Sequence, residues 1–167
     1  VLVLTYTRWI TRSPIICLLA PGLGFGPVMI LGSLIALGAR LDAAAIAVSV
    51  ISLLLVSELL LINQIPDAEA DRKVGRRHLV ITLGQPAAAR LAGSLLLGSY
   101  GVLGAGILAG WLPAWTSIAL APAPAAVWIS LRLPGALTDP PRLNSVLGIN
   151  VAVRLATLAL LIFGLSL

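Results

Sequence analysis

The feature that most constrains this chain is its unbroken apolar runs of roughly 20 residues, which recur along the sequence between short polar or proline-bearing connections. A helix rises about 1.5 Å per residue, so each run can cross a hydrocarbon layer about 30 Å thick. Lipid satisfies no backbone hydrogen bonds, and the apolar residues do not alternate with polar ones as in a barrel strand. Spanning helices are therefore favoured over a barrel. A mean hydropathy of +1.07 with only 10% charged residues excludes an ordinary soluble domain. The expected fold is all-α, a polytopic membrane helical bundle of about five transmembrane helices.

The spans are expected at residues 15–37, 43–62, 87–110, 111–131 and 146–167, with residues 1–14 as the end of an earlier element and a short basic loop. Pro21, Gly22, Gly24, Gly26 and Pro27 fall inside the first span and predict a kink or a close helix approach there. Pro113, Pro122 and Pro124 predict a broken or bent fourth span, and residues 134–144 read as a proline-rich loop. No internal repeat is evident, and residues 1–167 read as a single membrane domain. The chain starts at Val1 without a signal-peptide pattern, so a missing preceding segment is expected. A single cysteine, Cys17, excludes an intrachain disulfide framework and reads as a small buried residue.

Counted along this topology, Arg8, Arg12, Arg72, Lys73, Arg76, Arg77, Arg90, Arg132 and Arg142 fall on one side, and Arg40 alone on the other. That bias predicts a cytoplasmic position for the polar stretch between the second and third spans. It also accounts for the net charge of +5 without invoking nucleic acid. Trp111 and Trp115 would then stand near the far interface, where indoles are common.

The polar stretch, residues 63–84, holds three of the six acidic residues and the one histidine. Asp67 and Asp71 are four residues apart, which places them about 40° and about 6 Å from each other on a helix. Asn63 would extend the same face, with Pro66 read as the first turn of a short helix beginning at Asp67 and Asn63 as its approach. Glu69 projects to the other side. Two carboxylates on one face repel unless cations answer them, and magnesium binds through one or two carboxylates together with a substrate's phosphates. Arg72, Lys73, Arg76 and Arg77 are then available to phosphate oxygens. On spacing alone, a charged loop that merely fixes topology is an equal reading. His78, among arginines, reads as a surface residue.

The longer pattern N-x-x-x-D-x-x-x-D-R-x-x-G-R-R-x-L-x-x-x-L-G over Asn63 to Gly84 resembles the second aspartate-rich motif of the UbiA superfamily of intramembrane polyprenyltransferases. Tyr6-Thr7, the segment Gly24 to Gly32, and Asn63 four residues before Asp67 are similar to the dihydroxynaphthoate polyprenyltransferases of the menaquinone branch. The resemblance implies transfer of a polyprenyl group from polyprenyl diphosphate to an aromatic acceptor, with Mg2+ and loss of pyrophosphate, in a nine-helix fold of which this chain matches the last five. It carries over Asp67 and Asp71 as magnesium ligands, Asn63 as a supporting contact, and Arg72, Lys73 and Arg76 as diphosphate contacts, with the prenyl tail among helices open to membrane lipid. The family's first aspartate-rich motif is absent, so the chain is expected to be a C-terminal half that needs a missing N-terminal half.

Glu58 and Arg154 lie inside spans, where a charge costs about 2.5–3.5 kcal/mol on insertion scales. Pairing with each other and holding the acceptor are equal readings. Tyr100, Asn144 and Asn150 read as interhelical hydrogen bonders. The competing functions are a phosphatidyl-alcohol transferase, disfavoured by the lack of a preceding D-G-x-x-A-R segment, and a transporter or scaffold subunit with a structural charged loop.

Overall fold

A computed structural model of the chain describes residues 13–167; Tyr6, Thr7, Arg8 and Arg12 lie outside the described residues. Five helical stretches are long and apolar enough to cross a membrane. They are α1 (Pro14–Ala36), α2 (Ala43–Lys73), α4 (Gln85–Leu108), a stretch formed by a 3-10 turn (Ala114–Leu120) followed by α5 (Ala123–Ala136), and α6 (Pro140–Ser166). A short helix, α3 (Leu79–Leu83), sits between α2 and α4. No strand occurs among the described residues, so the protein is an all-α polytopic bundle.

Helix α2 is the centre. It packs against α1 on one side and α4 on the other, while α4 passes the chain to α5 and the 3-10 turn lies against α6. Buried Ile51, Leu55 and Ile62 of α2, Leu96 and Leu103 of α4, Ile129 and Leu133 of α5, and Leu161 of α6 form the interior. The outward residues are as apolar as the inward ones: Ile15, Leu23, Phe25, Val28 and Met29 on α1 and Leu155, Ile162 and Phe163 on α6 are all exposed. Lipid tails are an equally good solvent for either face, so burial of apolar area does not choose the interface. Shape and polar bonds do.

Shape decides between α1 and α2. A Cβ on Gly26 would stand 2.6 Å from Ser49 O and 2.9 Å from Leu53 N, and one on Gly22 would collide with Ser57 Oγ and lie 2.8 Å from Leu53 O. These two glycines, four apart, let the backbones touch. The expected irregularity of this span takes the form of a π-helical turn over Gly24–Val28, and the Phe25 carbonyl accepts a bond from Ser52 Oγ of α2 at 3.3 Å.

Polar bonds join α6 to the rest. Asn150 Nδ2 donates to Glu58 Oε1 at 3.0 Å, and Arg154 Nε approaches Glu58 Oε2 at 3.5 Å. Thr157 Oγ1 gives its proton to the Val153 carbonyl at 2.7 Å, so the hydroxyl of Tyr100 donates to Thr157 at 2.5 Å. Residues 150, 154 and 157 share one face of α6 by the helical period. Asn144, by contrast, is exposed at the start of α6 and is not one of these interhelical bonds.

Two boundaries differ from the sequence expectation. The proline-rich segment is a short link and not a long loop: Pro134 falls in the last turn of α5, and Pro140 and Pro141 open α6 with Asp139 as cap, its Oδ1 accepting from Arg142 N at 3.3 Å. Proline fits a first helical turn, where its missing donor is not needed. The second difference is that α2 does not stop at Ile62 or restart at Asp67. It runs through Pro66 to Lys73, so most of the stretch expected as a loop is helix. At 31 residues it is about 46 Å long and overreaches a bilayer core by about 16 Å.

Candidate active site

The overreaching end of α2 builds the site. Asn63, Asp67 and Asp71 lie on one unbroken helix and, with Leu60, Gln64, Cys17, Arg76 and His78, line a cavity of about 210 Å3. Helix α1 closes one wall: Gln64 Nε2 reaches the sulfur of buried Cys17 at 3.5 Å. On the opposite side the extension is tied down by Gln85 at the start of α4, whose Nε2 donates to the Ile65 carbonyl at 3.2 Å. Ile65 and Ala68 are buried on that inner face, so the polar face of α2 can point only into the cavity and outward.

After Lys73 the chain reverses. Gly75 takes φ +78°, a conformation that glycine adopts without cost, and Gly75 N and Arg76 N bond back to the carbonyls of Arg72 and Asp71 at 3.2 and 3.1 Å. The reversal brings Arg76 and His78 over the acidic face. Arg76 Nη1 donates to Asp71 Oδ1 at 2.8 Å, and His78 Nε2 meets Asp71 Oδ2 at 3.0 Å. Among the described residues, none pairs with Asp67.

His78 is not the surface residue that its neighbours suggest; it is buried. Burial drives the imidazole below its usual range, and the hydrogen bond to Asp71 offsets this only in part. A carboxylate can only accept, so the Nε2 proton is directed at Asp71. Sequence pattern gave no sign of it, because the contact is made across a turn that places no period on residue 78.

The other expected diphosphate contacts are dispersed. Arg72 lines a second cavity of about 210 Å3 on the far side of α2, together with Ala68, Glu69, Val80, Gly84 and Gln85. Lys73 is exposed at the last position of α2 and Arg77 is exposed in the turn. Of the basic residues singled out, Arg76 alone lies in the acidic cavity.

Oxygen donors dominate the cavity: two carboxylates, with the side-chain amides of Asn63 and Gln64 beside them. Among the described residues no group of three or more His, Cys, Asp or Glu is placed to hold a metal. Such a donor set fits a hard divalent cation that takes its remaining ligands from a phosphate and water, and not one caged by protein alone. The UbiA prenyltransferase family matches the chain over residues 1–146. This chain belongs to that family. No curated protein and no solved structure matches it. Family membership makes the chain an integral multi-pass membrane prenyltransferase sequence, acting with a polyprenyl diphosphate and an aromatic acceptor.

Proposed function

We propose that the Asn63–Asp67–Asp71 face is the second acidic half of a prenyl-transfer site, and that the chain is the C-terminal part of an enzyme of quinone biosynthesis, closest to the menaquinone branch. The observation that supports this most is the meeting of both aspartates, Asn63 and Arg76 in one cavity at the end of an overlong membrane helix.

In this reading Asp67 and Asp71 would hold Mg2+, with Asn63 beside them, and the bound cation would supply charge neutralisation for the departing diphosphate. Arg76 turns its guanidinium to diphosphate oxygens, where bidentate bonds disperse the developing charge. Arg72 and Lys73, away from the cavity, attract the anionic headgroup from further out. The allylic carbon–oxygen bond breaks with its electron pair going to pyrophosphate. A ring carbon of the acceptor then forms the new carbon–carbon bond, and the ring loses a proton. The prenyl chain extends along lipid-facing helix surfaces. A preceding segment supplies the first aspartate-rich motif.

In the full-length enzyme, Asp67→Ala and Asp71→Ala should each lower Mg2+-dependent prenyl transfer by about 10²-fold or more, while Glu69→Ala, on the opposite face, leaves it nearly unchanged. Retention of transfer by both aspartate variants would assign the stretch to topology alone and favour a transporter or scaffold.

A further inference from the structure

The two oxygens of Asp71 are held by very different partners. Oδ2 faces His78, whose side chain is 2% exposed, and Oδ1 faces Arg76, whose side chain is 43% exposed. His78 stands at the start of α3 in an extended backbone conformation and is buried. Among the described residues its Nδ1 is buried without a hydrogen-bond partner, and the bond to Asp71 is the one polar anchor of the ring. Breaking that bond would leave a second ring nitrogen buried and unsatisfied, which is costly for an enclosed donor. Releasing Oδ1 is cheaper, because the Arg76 guanidinium already meets water and an exposed ion pair contributes little.

We infer that His78 is a positioning residue that pins Oδ2 of Asp71, so that Oδ1 alone is exchanged from Arg76 to a divalent cation. Asp71 would therefore offer a cation one oxygen, and Arg76, released from it, would remain in the same cavity for the phosphate that accompanies the cation. The inference rests on the reading of Asp67 and Asp71 as cation ligands, and it adds that the geometry of one of them is set by a buried imidazole. Outer partners of this kind affect metal affinity by about 10–100-fold.

The test uses the full-length protein in lipid nanodiscs and the probe Mn2+ with inorganic pyrophosphate, with bound Mn2+ followed by electron paramagnetic resonance. His78→Leu removes the donor at similar volume. His78→Gln keeps an N–H in the place of Nε2. We expect His78→Leu to weaken Mn2+ binding by about tenfold or more, and His78→Gln to stay within about threefold of the wild type. In prenyl-transfer assays the His78→Leu loss should shrink as Mg2+ is raised, leaving kcat close to the wild-type value. Unchanged Mn2+ affinity in His78→Leu, or equal weakening in both variants with equally lowered unfolding temperatures, would overturn the inference and leave the site itself standing. Wild-type Mn2+ binding that survives Asp67→Ala and Asp71→Ala would instead overturn the reading beneath it.

Discussion

At the residue scale, nearly every acidic side chain has an assignable task, and burial decides which. Asp42 and Asp139 cap α2 and α6; Asp42 Oδ1 accepts from Ala45 N at 2.8 Å. Glu58 is buried against Asn150 and Arg154, as the pairing reading of these charges expects. Removing one member of a buried pair strands the other, at a cost of about 3–5 kcal/mol. Glu58→Arg and Arg154→Glu should each lower the unfolding temperature in detergent sharply, and the double reversal should recover most of the loss. Additive losses in the double variant would show that the two charges act independently. The sequence marked Glu58 and Arg154 as charges in need of partners. It did not mark His78, since a histidine in a basic turn has no local feature that distinguishes a solvated ring from an enclosed one.

At the element scale, two local irregularities in the helices have tertiary causes. The glycines of α1 matter where they meet α2. Gly26→Leu would drive a side chain into the Ser49–Leu53 backbone and should destabilise the bundle by about 1–3 kcal/mol, whereas Gly32→Ala, which meets open space, should be neutral in the same thermal assay. The continuation of α2 past Pro66 is the other case. Proline lacks a donor and usually ends or kinks a helix, yet buried Ile65 and Ala68 and the Gln85 bond hold the segment in line. Gln85→Ala should therefore speed amide hydrogen exchange over residues 63–73 at least several-fold while leaving the deep part of α2 protected. Uniform exchange along both segments would show that α4 does not support the extension.

At the scale of the whole molecule, α1 and α6 present largely apolar surfaces, as a bundle within lipid requires. We propose that the Arg- and Asp-rich end faces the cytoplasm, following the bias of basic residues. A cysteine placed at Arg77 should react with an impermeant maleimide in inside-out vesicles and not in intact cells. On the proposed half-site reading, the 167-residue chain alone should give no prenyl transfer, and transfer should return when a segment carrying the first aspartate-rich motif is co-expressed. Transfer by the isolated chain would overturn the half-site reading.

The spans, the all-α class and the acidic face of residues 63, 67 and 71 were legible in the sequence because each depends on local quantities: the length of an apolar run and the period of a helix. The tertiary structure decided the rest. It placed Arg76 with Asp71 and moved Arg72 to another cavity, buried His78, carried α2 through Pro66, and paired Glu58 with residues of α6. Each of these depends on a chain reversal or on a contact between distant segments, as with Glu58 and Asn150, 92 positions apart. In lipid no hydrophobic preference orients a helix face, so close backbone contact and buried hydrogen bonds choose among arrangements that the apolar pattern leaves equivalent.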